Sequence, residues 1–251
     1  WPLPAMALLA RTLALLAMAT VATVAIDVVP LDMARDSFDD QYRGCRPTRT
    51  VALPTLKYLD SLKNPHFARC WDQAEVEWLK RGSPLSPLSR DQAIAIMTYS
   101  RNDLYKDFNA AVRKAGRSRQ HYQDNFHYKA LHFLLTDALQ TLRRAQNVRC
   151  RRVFRGVYGV WYKARRGDTV RFGQFTSTSL SKHIAQGFGT DTIFEVTTCH
   201  GADIRRFSTY PKEKEVLIPP YETFVVTQVT YVGRKPRIWL SSTGTSSKYN
   251  C

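Results

Sequence analysis

Two hydrophobic patterns follow one another along the chain, and their order limits the possible folds more than any other feature. From Leu53 to about Ala145 apolar residues recur mostly at helical spacing, whereas from Arg152 to Leu240 short β-rich runs alternate with turn residues. The strongest amphipathic helix is predicted over Asn125 to Leu142, and another over Phe67 to Lys80. Helices that precede a block of strands indicate an α+β fold.

The predicted strands are short and are bounded by turn residues. They cover Val153 to Val157, Thr169 to Phe175, Thr192 to Thr198, Glu215 to Ile218, Thr223 to Tyr231 and Pro236 to Leu240. Strands of this length form one sheet or a pair of sheets. In the helical half, Ser89 to Gln92 has the pattern of a helix start and predicts a helix over Ala93 to Tyr99.

The first 25 residues have the pattern of an export signal. Arg11 supplies the charge, Thr12 to Ala25 the apolar run, and Thr23-Val24-Ala25 a small-residue cleavage site. We therefore predict a signal peptide over 1–25 and a single domain over 26–251. No later apolar stretch approaches the roughly 18 residues of a membrane-spanning helix, so no transmembrane segment is expected.

Five cysteines follow that segment: Cys45, Cys70, Cys150, Cys199 and Cys251. Export places them where disulfides persist. Four cysteines can pair in three ways, and their spacing does not select one of them. The odd count leaves one cysteine over. Cys70 follows the helix-like Leu59 to Arg69 and is interpreted as a buried free thiol, with an intermolecular bridge as the alternative.

The chain is strongly basic, with 37 Lys and Arg against 21 Asp and Glu and a formal net charge of +16. This charge favours polyanions or acidic cell surfaces as neighbours. The basic residues are spread over several segments, and no zinc-finger, basic-zipper or RNA-recognition signature organises them. We therefore expect a solvated basic surface and no nucleic-acid partner.

Two strand-like segments carry polar side chains that a purely structural strand does not need. In Val153-Phe154-Arg155-Gly156 the forked donors of Arg155 suit a phosphate or carboxylate, and Gly156 lets a ligand approach the backbone closely. The alternative is an arginine in a structural ion pair. The cluster Thr176 to Ser179 could offer hydroxyl groups to a sugar, or could cap the segment Lys182 to Gly187.

A third segment, Glu213-Lys214-Glu215, carries two acids at period-two spacing. If the segment is extended, both carboxylates can face one side. Chemistry at the anomeric carbon of a sugar uses such a pair, because one carboxylate stabilises an oxocarbenium-like transition state while the other orients or deprotonates the nucleophile. The alternative is a charged strand edge.

Several kinds of site find no support in the sequence. No segment matches a phosphate-binding glycine-rich loop, a serine-hydrolase elbow or a zinc-ligand spacing. His121, His127 and His132 are spaced too irregularly to form a metal-binding face of a helix, so we expect no metal.

Taken together, the three segments in the order Arg, Ser, Glu resemble the vertebrate ecto-ADP-ribosyltransferases, the arginine-specific relatives of clostridial C2-like and C3-like toxins. Asp36 to Tyr42 resembles the opening motif of that family, Asn125 to Phe133 its helix, and Val216 to Phe224 the strand after its catalytic glutamate. The resemblance runs from about Leu31 to Cys251.

The resemblance implies an α+β ADP-ribosyltransferase fold, in which N-terminal helices pack on two small crossed β-sheets that form an NAD cleft. The region 26–251 would then be one catalytic domain. It would be an NAD(P)+–protein-arginine ADP-ribosyltransferase that moves ADP-ribose from NAD to arginine side chains, releases nicotinamide and hydrolyses some NAD. NADP is the alternative co-substrate. An NAD glycohydrolase, or a catalytically dead basic cell-surface-binding protein, are the competing functions.

The resemblance also assigns roles to residues. Arg155 would hold the phosphate and ribose of NAD, the backbone of Gly156 the nicotinamide carboxamide, and Ser177 the ribose and the glutamate. Glu215 would bind the ribose 2′-hydroxyl and stabilise the transition state. Glu213 would bind the acceptor guanidinium and help to remove its proton, since a protonated guanidinium is a poor nucleophile. Lesser contacts are expected from Tyr99, Gln174, Phe194 and Ser208 to NAD, and from Tyr210 to the acceptor. For Phe194, a ring buried within its strand is the alternative to stacking on nicotinamide.

The family pattern further implies the disulfides Cys45–Cys251 and Cys150–Cys199, with Cys70 as a departure. Many relatives have a hydrophobic C-terminal tail that is exchanged for a lipid anchor. The sequence has no such tail before Cys251, so we expect the secreted branch: an extracellular monomer that acts on arginine-bearing proteins or small guanidino compounds.

Overall fold

The computed structural model describes residues 26–82 and 86–251, so the predicted signal peptide lies outside the described residues. The α-helices are α1 (Arg46–Lys63), α2 (Pro65–Arg81), α3 (Arg90–Tyr99), α4 (Tyr105–Ala115), α5 (Arg119–Asn125), α6 (Lys129–Gln146) and α7 (Lys182–Gly187). The strands are β1 (Asp27–Pro30), β2 (Arg151–Val157), β3 (Val160–Lys163), β4 (Thr169–Val170), β5 (Thr176–Ser179), β6 (Thr192–Thr198), β7 (Ala202–Asp203), β8 (Glu215–Ile218), β9 (Glu222–Val232) and β10 (Lys235–Thr245). The α+β prediction is confirmed.

Helix α3 begins where the sequence predicts. The Ser89 hydroxyl accepts a hydrogen bond from the Gln92 backbone amide, and the Gln92 side chain accepts one from the Ser89 amide. This reciprocal pair is a capping box, which satisfies two amides that the first helical turn leaves free. The last residue of α3 is the buried Tyr99.

The helix predicted from Asn125 is wrong in its first turn. Asn125 ends α5, and Phe126 takes a non-helical conformation with φ −98° and ψ 88°. Its buried ring packs against Phe38 and Tyr122. Helix α6 starts at Lys129 instead, because the Asp60 carboxylate on α1 accepts a hydrogen bond of 2.8 Å from the Ala130 amide. The start of α6 is therefore set by a residue from another helix.

Within residues 26–82 and 86–251 the strands form two sheets of unequal size. The larger has the order β4-β9-β10-β6-β2-β5-β8-β7, and β1 pairs with β3 in a separate two-stranded sheet. Within the larger sheet, β2 meets β5 only at the pair Phe154–Ser179, whereas β2 and β6 pair along seven residues. The sheet is therefore divided at the β2–β5 contact, and the two parts can splay apart there.

The strand predicted over Thr169 to Phe175 is also wrong in part. Only Thr169–Val170 are in strand β4, and the chain leaves the sheet at Arg171. The Arg171 guanidinium is buried in an ion pair of 2.6 Å with Asp39. Gly173 then has φ 64°, in the left-handed region that a strand does not use.

Two hydrophobic clusters form the interior of the part of the chain that the structure describes. One lies among helices α1 to α6 and includes Phe175, Phe207 and Leu217 from the β5-β8-β7 side. The other lies on the opposite part of the sheet, around Phe194 and Phe224. The helices thus pack on one part of the sheet and leave the junction between the parts open to a ligand.

The structure contains the disulfides Cys45–Cys251 and Cys150–Cys199, the pairs that the resemblance implies. Cys70 is a free thiol, 1% exposed, as interpreted from the sequence. Among the residues that the structure describes, no helix is both long and apolar enough to span a membrane.

Candidate active site

A cleft of about 1190 Å³ opens at the junction between the two parts of the sheet. Most of the predicted site residues line it: Tyr99, Arg155, Gly156, Gln174, Ser177, Phe194, Glu213 and Glu215. They come from α3, β2, the segment before β5, β5, β6, the turn before β8 and β8 itself. The cleft therefore brings together residues that are far apart in sequence, and only Ser208 of the predicted NAD contacts is not among its lining residues.

Strand β2 carries Arg155 to the edge of the cleft. One of its terminal nitrogens, Nη1, donates a hydrogen bond of 2.7 Å to the carbonyl oxygen of Ser177. Among the described residues no carboxylate lies within ion-pair distance of Arg155, unlike Arg152, which pairs with Glu195. The ion-pair alternative is thus not what the structure contains, and the remaining donors of the half-buried guanidinium are free to bind an anion.

Ser177 lies on β5 with its hydroxyl directed toward the end of α3. Its Oγ is 3.3 Å from the Tyr99 hydroxyl, which itself donates a bond of 3.0 Å to the Phe175 carbonyl. The residue that caps α7 is not part of the cluster Thr176 to Ser179, because the cap is Ser181, whose hydroxyl accepts a hydrogen bond from the Ile184 amide. Ser177 therefore remains available to the cleft.

Glu215 is the first residue of β8 and is 5% exposed. Burial raises the pKa of this carboxyl from its ordinary 4.5 to about 7, and the nearby charge of Glu213 also raises it. Hydrogen bonds from Ser177 and Ser208 and the charge of Arg155 lower the pKa without cancelling the effect of burial. A carboxyl with such a displaced pKa at a cleft is typical of a catalytic site.

The prediction that Glu213 and Glu215 lie on one extended segment is wrong. Pro211–Glu213 form a short 3-10 helix, and Lys214 follows in the left-handed conformation with φ 51° and ψ 45°. Ser179 Oγ donates a bond of 2.7 Å to the Glu213 carbonyl, and the Leu180 amide donates one of 3.1 Å to the Lys214 carbonyl. Both carboxylates still reach the cleft, through a turn held by β5.

Glu213 sits in a more open position than Glu215. It is half-buried, and burial raises its pKa from the ordinary value. The two acids thus have different surroundings within one cleft, one enclosed and one at the rim.

The segment before these acids is tied to the helical half of the protein. Arg81 at the end of α2 donates hydrogen bonds of 2.8 and 3.2 Å to the carbonyl oxygens of Ser208 and Thr209. The buried Ser208 hydroxyl lies 3.4 Å from a Glu215 carboxylate oxygen, behind that acid rather than in the cleft. Tyr210, which follows, is exposed, and its hydroxyl accepts a bond of 3.2 Å from Asn102, a residue of the cleft lining.

Gly156 is required by its contacts with the protein itself. A Cβ atom at this position would lie 2.2 Å from the Ala185 carbonyl oxygen and 2.3 Å from that of Gly189. The group that approaches the backbone of Gly156 closely is thus the segment around α7 of the protein itself. The Val157 carbonyl accepts a hydrogen bond from the Asp191 amide on the β6 side of strand β2. Because the backbone groups of successive strand residues point to opposite sides, those of Gly156 point toward β5. The pairing of β2 with β5 is limited to Phe154, so it does not extend to Gly156.

Phe194 and Phe188 differ in how much of their side chains is exposed to solvent. Phe194 is 0% exposed and makes edge contacts with Tyr162 and Phe172, which favours the buried-strand alternative over stacking on a ligand. Phe188 at the end of α7 lines the cleft with 55% of its surface exposed. Phe188 was not predicted as a site residue because it lies outside the strand patterns, one of which contains Phe194.

Two polar residues of α4 were also missed. Arg113 donates a hydrogen bond to the Gln174 side chain, and both line the cleft. Asn109 donates one of 3.2 Å to the Tyr99 hydroxyl. No motif pointed to α4, because helical spacing places these residues on the inner face of an otherwise ordinary amphipathic helix.

Known proteins resemble this chain over nearly its whole length. The family model described as NAD:arginine ADP-ribosyltransferase matches residues 31–248. The erythroblast NAD(P)(+)–arginine ADP-ribosyltransferase of Gallus gallus is 49% identical over 230 residues, which cover 90% of this chain and 76% of that protein. The human GPI-linked NAD(P)(+)–arginine ADP-ribosyltransferase 1 is 46% identical, with coverage of 89% and 74%.

A solved structure has the same architecture. The crystal structure of the eucaryotic mono-ADP-ribosyltransferase ART2.2 superposes with a TM-score of 0.76 at 36% identity and covers 89% of this chain and 98% of that one. A mutant of the same enzyme has been solved in complex with NAD, with the same TM-score. With a matched family model, relatives near half identity and a shared fold around the cleft, the chain belongs to the NAD:arginine ADP-ribosyltransferase family.

Proposed function

We propose that this protein transfers ADP-ribose from NAD to the guanidinium group of arginine, with release of nicotinamide and slow hydrolysis of NAD when water replaces the acceptor. One observation carries the proposal. Glu215, enclosed and with a pKa displaced to about 7, faces the same cleft as Arg155 and Ser177, while Glu213 stands at the rim. This arrangement offers one acid to the sugar and another to the acceptor.

The cleft offers NAD hydrogen-bond donors, backbone groups and an exposed aromatic ring. The free donors of Arg155 suit the phosphate and ribose. The backbone of Gly156, unpaired on the β5 side, suits the nicotinamide carboxamide. The exposed ring of Phe188 is a better platform for the nicotinamide than Phe194, because a ligand can reach its face. The NAD-bound mutant of ART2.2, a structural relative, supports NAD as the co-substrate.

In the reaction, the bond between the ribose anomeric carbon and the nicotinamide nitrogen breaks, and nicotinamide leaves with the bonding electrons. Ionised Glu215 stabilises the positive charge that develops on the ribose, because its charge is held in place before the reaction in a poorly solvated site. Ser177 lowers the pKa of this carboxyl, which favours its ionised form. A guanidinium nitrogen then attacks the anomeric carbon, and Glu213 accepts the proton that this nitrogen loses.

The roles of the two acids are separable by experiment. Purified protein would be incubated with labelled NAD and agmatine, and nicotinamide and the agmatine adduct would be measured separately. Glu215→Gln should lose both products, whereas Glu213→Gln should keep nicotinamide release and lose the adduct. Glu75→Gln, at a glutamate of α2 that is ion-paired with Arg90, is the matched control and should keep both. Equal loss of both products in Glu213→Gln would contradict the assigned role.

The competing enzymatic function is NAD hydrolysis as the main activity. Nicotinamide release by the unmodified protein without any agmatine adduct would establish it. A catalytically dead cell-surface-binding protein is disfavoured, because Arg155, Ser177 and Glu215 are all present and meet in one cleft.

Three finer points belong to the same proposal. NADP should also be accepted, since Arg35, Lys106 and Arg113 add positive charge to the cleft lining. The acceptors should be arginine residues of extracellular proteins or small guanidino compounds, because the two disulfides fit an oxidising compartment. We further propose that the protein is secreted and monomeric.

A further inference from the structure

A second cluster of reactive side chains lies outside the cleft, between α2 and the start of α4. Its members are His66 and Cys70, one helical turn apart on α2, and Asp103 in the loop that joins α3 to α4. Each can offer one donor atom, and these atoms all lie within 4.8 Å of one another. The proposed reaction uses none of the three.

We propose that His66, Cys70 and Asp103 form a Zn²⁺ site. A histidine nitrogen, a thiolate and a carboxylate are the ligands that zinc takes in proteins, and Zn²⁺ accepts this mixture of soft and hard donors better than Mg²⁺ or Ca²⁺ do. Residues at i and i+4 of a helix, such as His66 and Cys70, lie on the same face.

The separation of the Cys70 sulfur and the Asp103 carboxylate fits a tetrahedral ion. Cys70 Sγ lies 3.6 Å from Asp103 Oδ2. A zinc ion with sulfur at about 2.3 Å and oxygen at about 2.0 Å holds these two ligands roughly 3.5 Å apart at the tetrahedral angle. The sulfur and the carboxylate oxygen are thus already at the separation that one shared ion would impose.

Neighbouring groups orient the ligands. Arg101 Nε lies 3.4 Å from Asp103 Oδ1, the other carboxylate oxygen, which leaves Oδ2 directed at Cys70. Asp107 Oδ2 lies 3.4 Å from His66 Nδ1 and brings a second carboxylate to the histidine ring. Outer partners of this kind commonly fix metal ligands in position.

The site is open on one side. Cys70 is buried, whereas the side chains of His66 and Asp103 are partly exposed. An ion could therefore enter from solvent and keep a water molecule as its fourth ligand. On binding, the Cys70 thiol would give its proton to the buffer as the sulfur–zinc bond forms, so that one proton is released for each ion bound.

Such an ion would connect α2 with the loop that borders the cleft. Asp103 directly follows Asn102, which lines the cleft and donates to the Tyr210 hydroxyl. Zinc would also stabilise the folded chain, since an ion that binds only the folded protein raises its unfolding free energy by mass action.

Zn²⁺ titration of the full metal-free chain, followed by calorimetry and by thermal unfolding, tests the site. We expect one ion per chain and a higher unfolding temperature with zinc. Cys70→Ser, His66→Ala and Asp103→Asn should each weaken binding by at least the roughly 10- to 100-fold that loss of an outer partner costs. His121→Ala, a histidine on α5 outside the cluster, is the control and should bind as the unmodified chain does.

Co²⁺ gives an independent measurement, because a cobalt–thiolate bond produces charge-transfer absorption in the near ultraviolet. This absorption should appear with the unmodified chain and with His121→Ala, and should be absent in Cys70→Ser. The proposal is overturned if no such absorption appears, or if His66→Ala and Asp103→Asn bind Zn²⁺ as tightly as the unmodified chain. These two positions are partly exposed, so their variants keep the test valid even if Cys70→Ser does not fold.

Discussion

The buried carboxyl of Glu215 should destabilise the folded enzyme in a way that depends on pH, and Glu215→Gln should reveal it. The folded chain holds the pKa of this group at about 7, against an ordinary value of 4.5. Each tenfold change in an ionisation constant is worth about 1.4 kcal/mol, so ionising Glu215 costs the folded protein about 3 kcal/mol more than it costs the unfolded chain.

The sign follows from which state holds the proton. Below pH 4.5 both folded and unfolded chains carry protonated Glu215, so its ionisation does not affect stability. Between pH 4.5 and about 7 the unfolded chain has lost the proton and the folded chain keeps it, so stability falls as the pH rises. Above about 7 the full cost is present. Glutamine does not ionise, so Glu215→Gln escapes this cost.

The assay is urea unfolding of both proteins, with disulfides intact, at pH 4, 6 and 8. The stability of Glu215→Gln relative to the unmodified chain should rise by about 3 kcal/mol from pH 4 to pH 8, although we expect this variant to be inactive. The comparison between pH values removes any constant difference between the amide and the acid. A relative stability that does not change with pH would refute the argument that Glu215 is enclosed and poorly solvated.

Three further changes test other contacts. Gly156→Ala should lower the unfolding free energy by about 1–3 kcal/mol and weaken NAD binding, because its methyl group meets two backbone carbonyls near α7; unchanged urea midpoint and affinity would contradict this. Arg171→Met should cost about 3–5 kcal/mol in thermal unfolding, because it leaves the Asp39 carboxylate buried without its partner, and adding Asp39→Asn should recover part of the loss. Tyr99→Phe should slow nicotinamide release without changing the fold, since the lost hydroxyl orients Ser177; equal rates in both proteins would refute that role.

Local patterns in the sequence were sufficient for much of the fold. Strand β6 and strand β8 have the bounds that alternation and flanking turn residues predict, and α3 begins at its predicted cap. These features depend on residues close together in the chain. The four residues predicted to be central to the site were chosen for a different reason, since Arg155, Ser177 and the two glutamates match motifs of a known family.

The features that were mispredicted depend on distant residues. Helix α6 starts late because Asp60 on α1 caps it, and the strand from Thr169 ends early because Arg171 is drawn into an ion pair with Asp39. Strands β1 and β3 were not predicted at all, since they pair with each other and lie far apart in the sequence. Phe188 was missed because its exposure in the cleft follows from where α7 packs on β2.

The turn between the two glutamates explains how one short segment can supply two different acids. On an extended segment both carboxylates would have similar surroundings and would repel each other at short range. Instead the 3-10 turn and the left-handed Lys214 leave Glu213 at the rim, while Glu215 enters the strand and is enclosed. A non-glycine residue in the left-handed region costs of order 1–3 kcal/mol, which the bonds from Ser179 and Leu180 to this turn offset. The strained residue therefore lies where it separates the environments of the two acids, and this separation is what the proposed roles of Glu215 at the ribose and Glu213 at the arginine require.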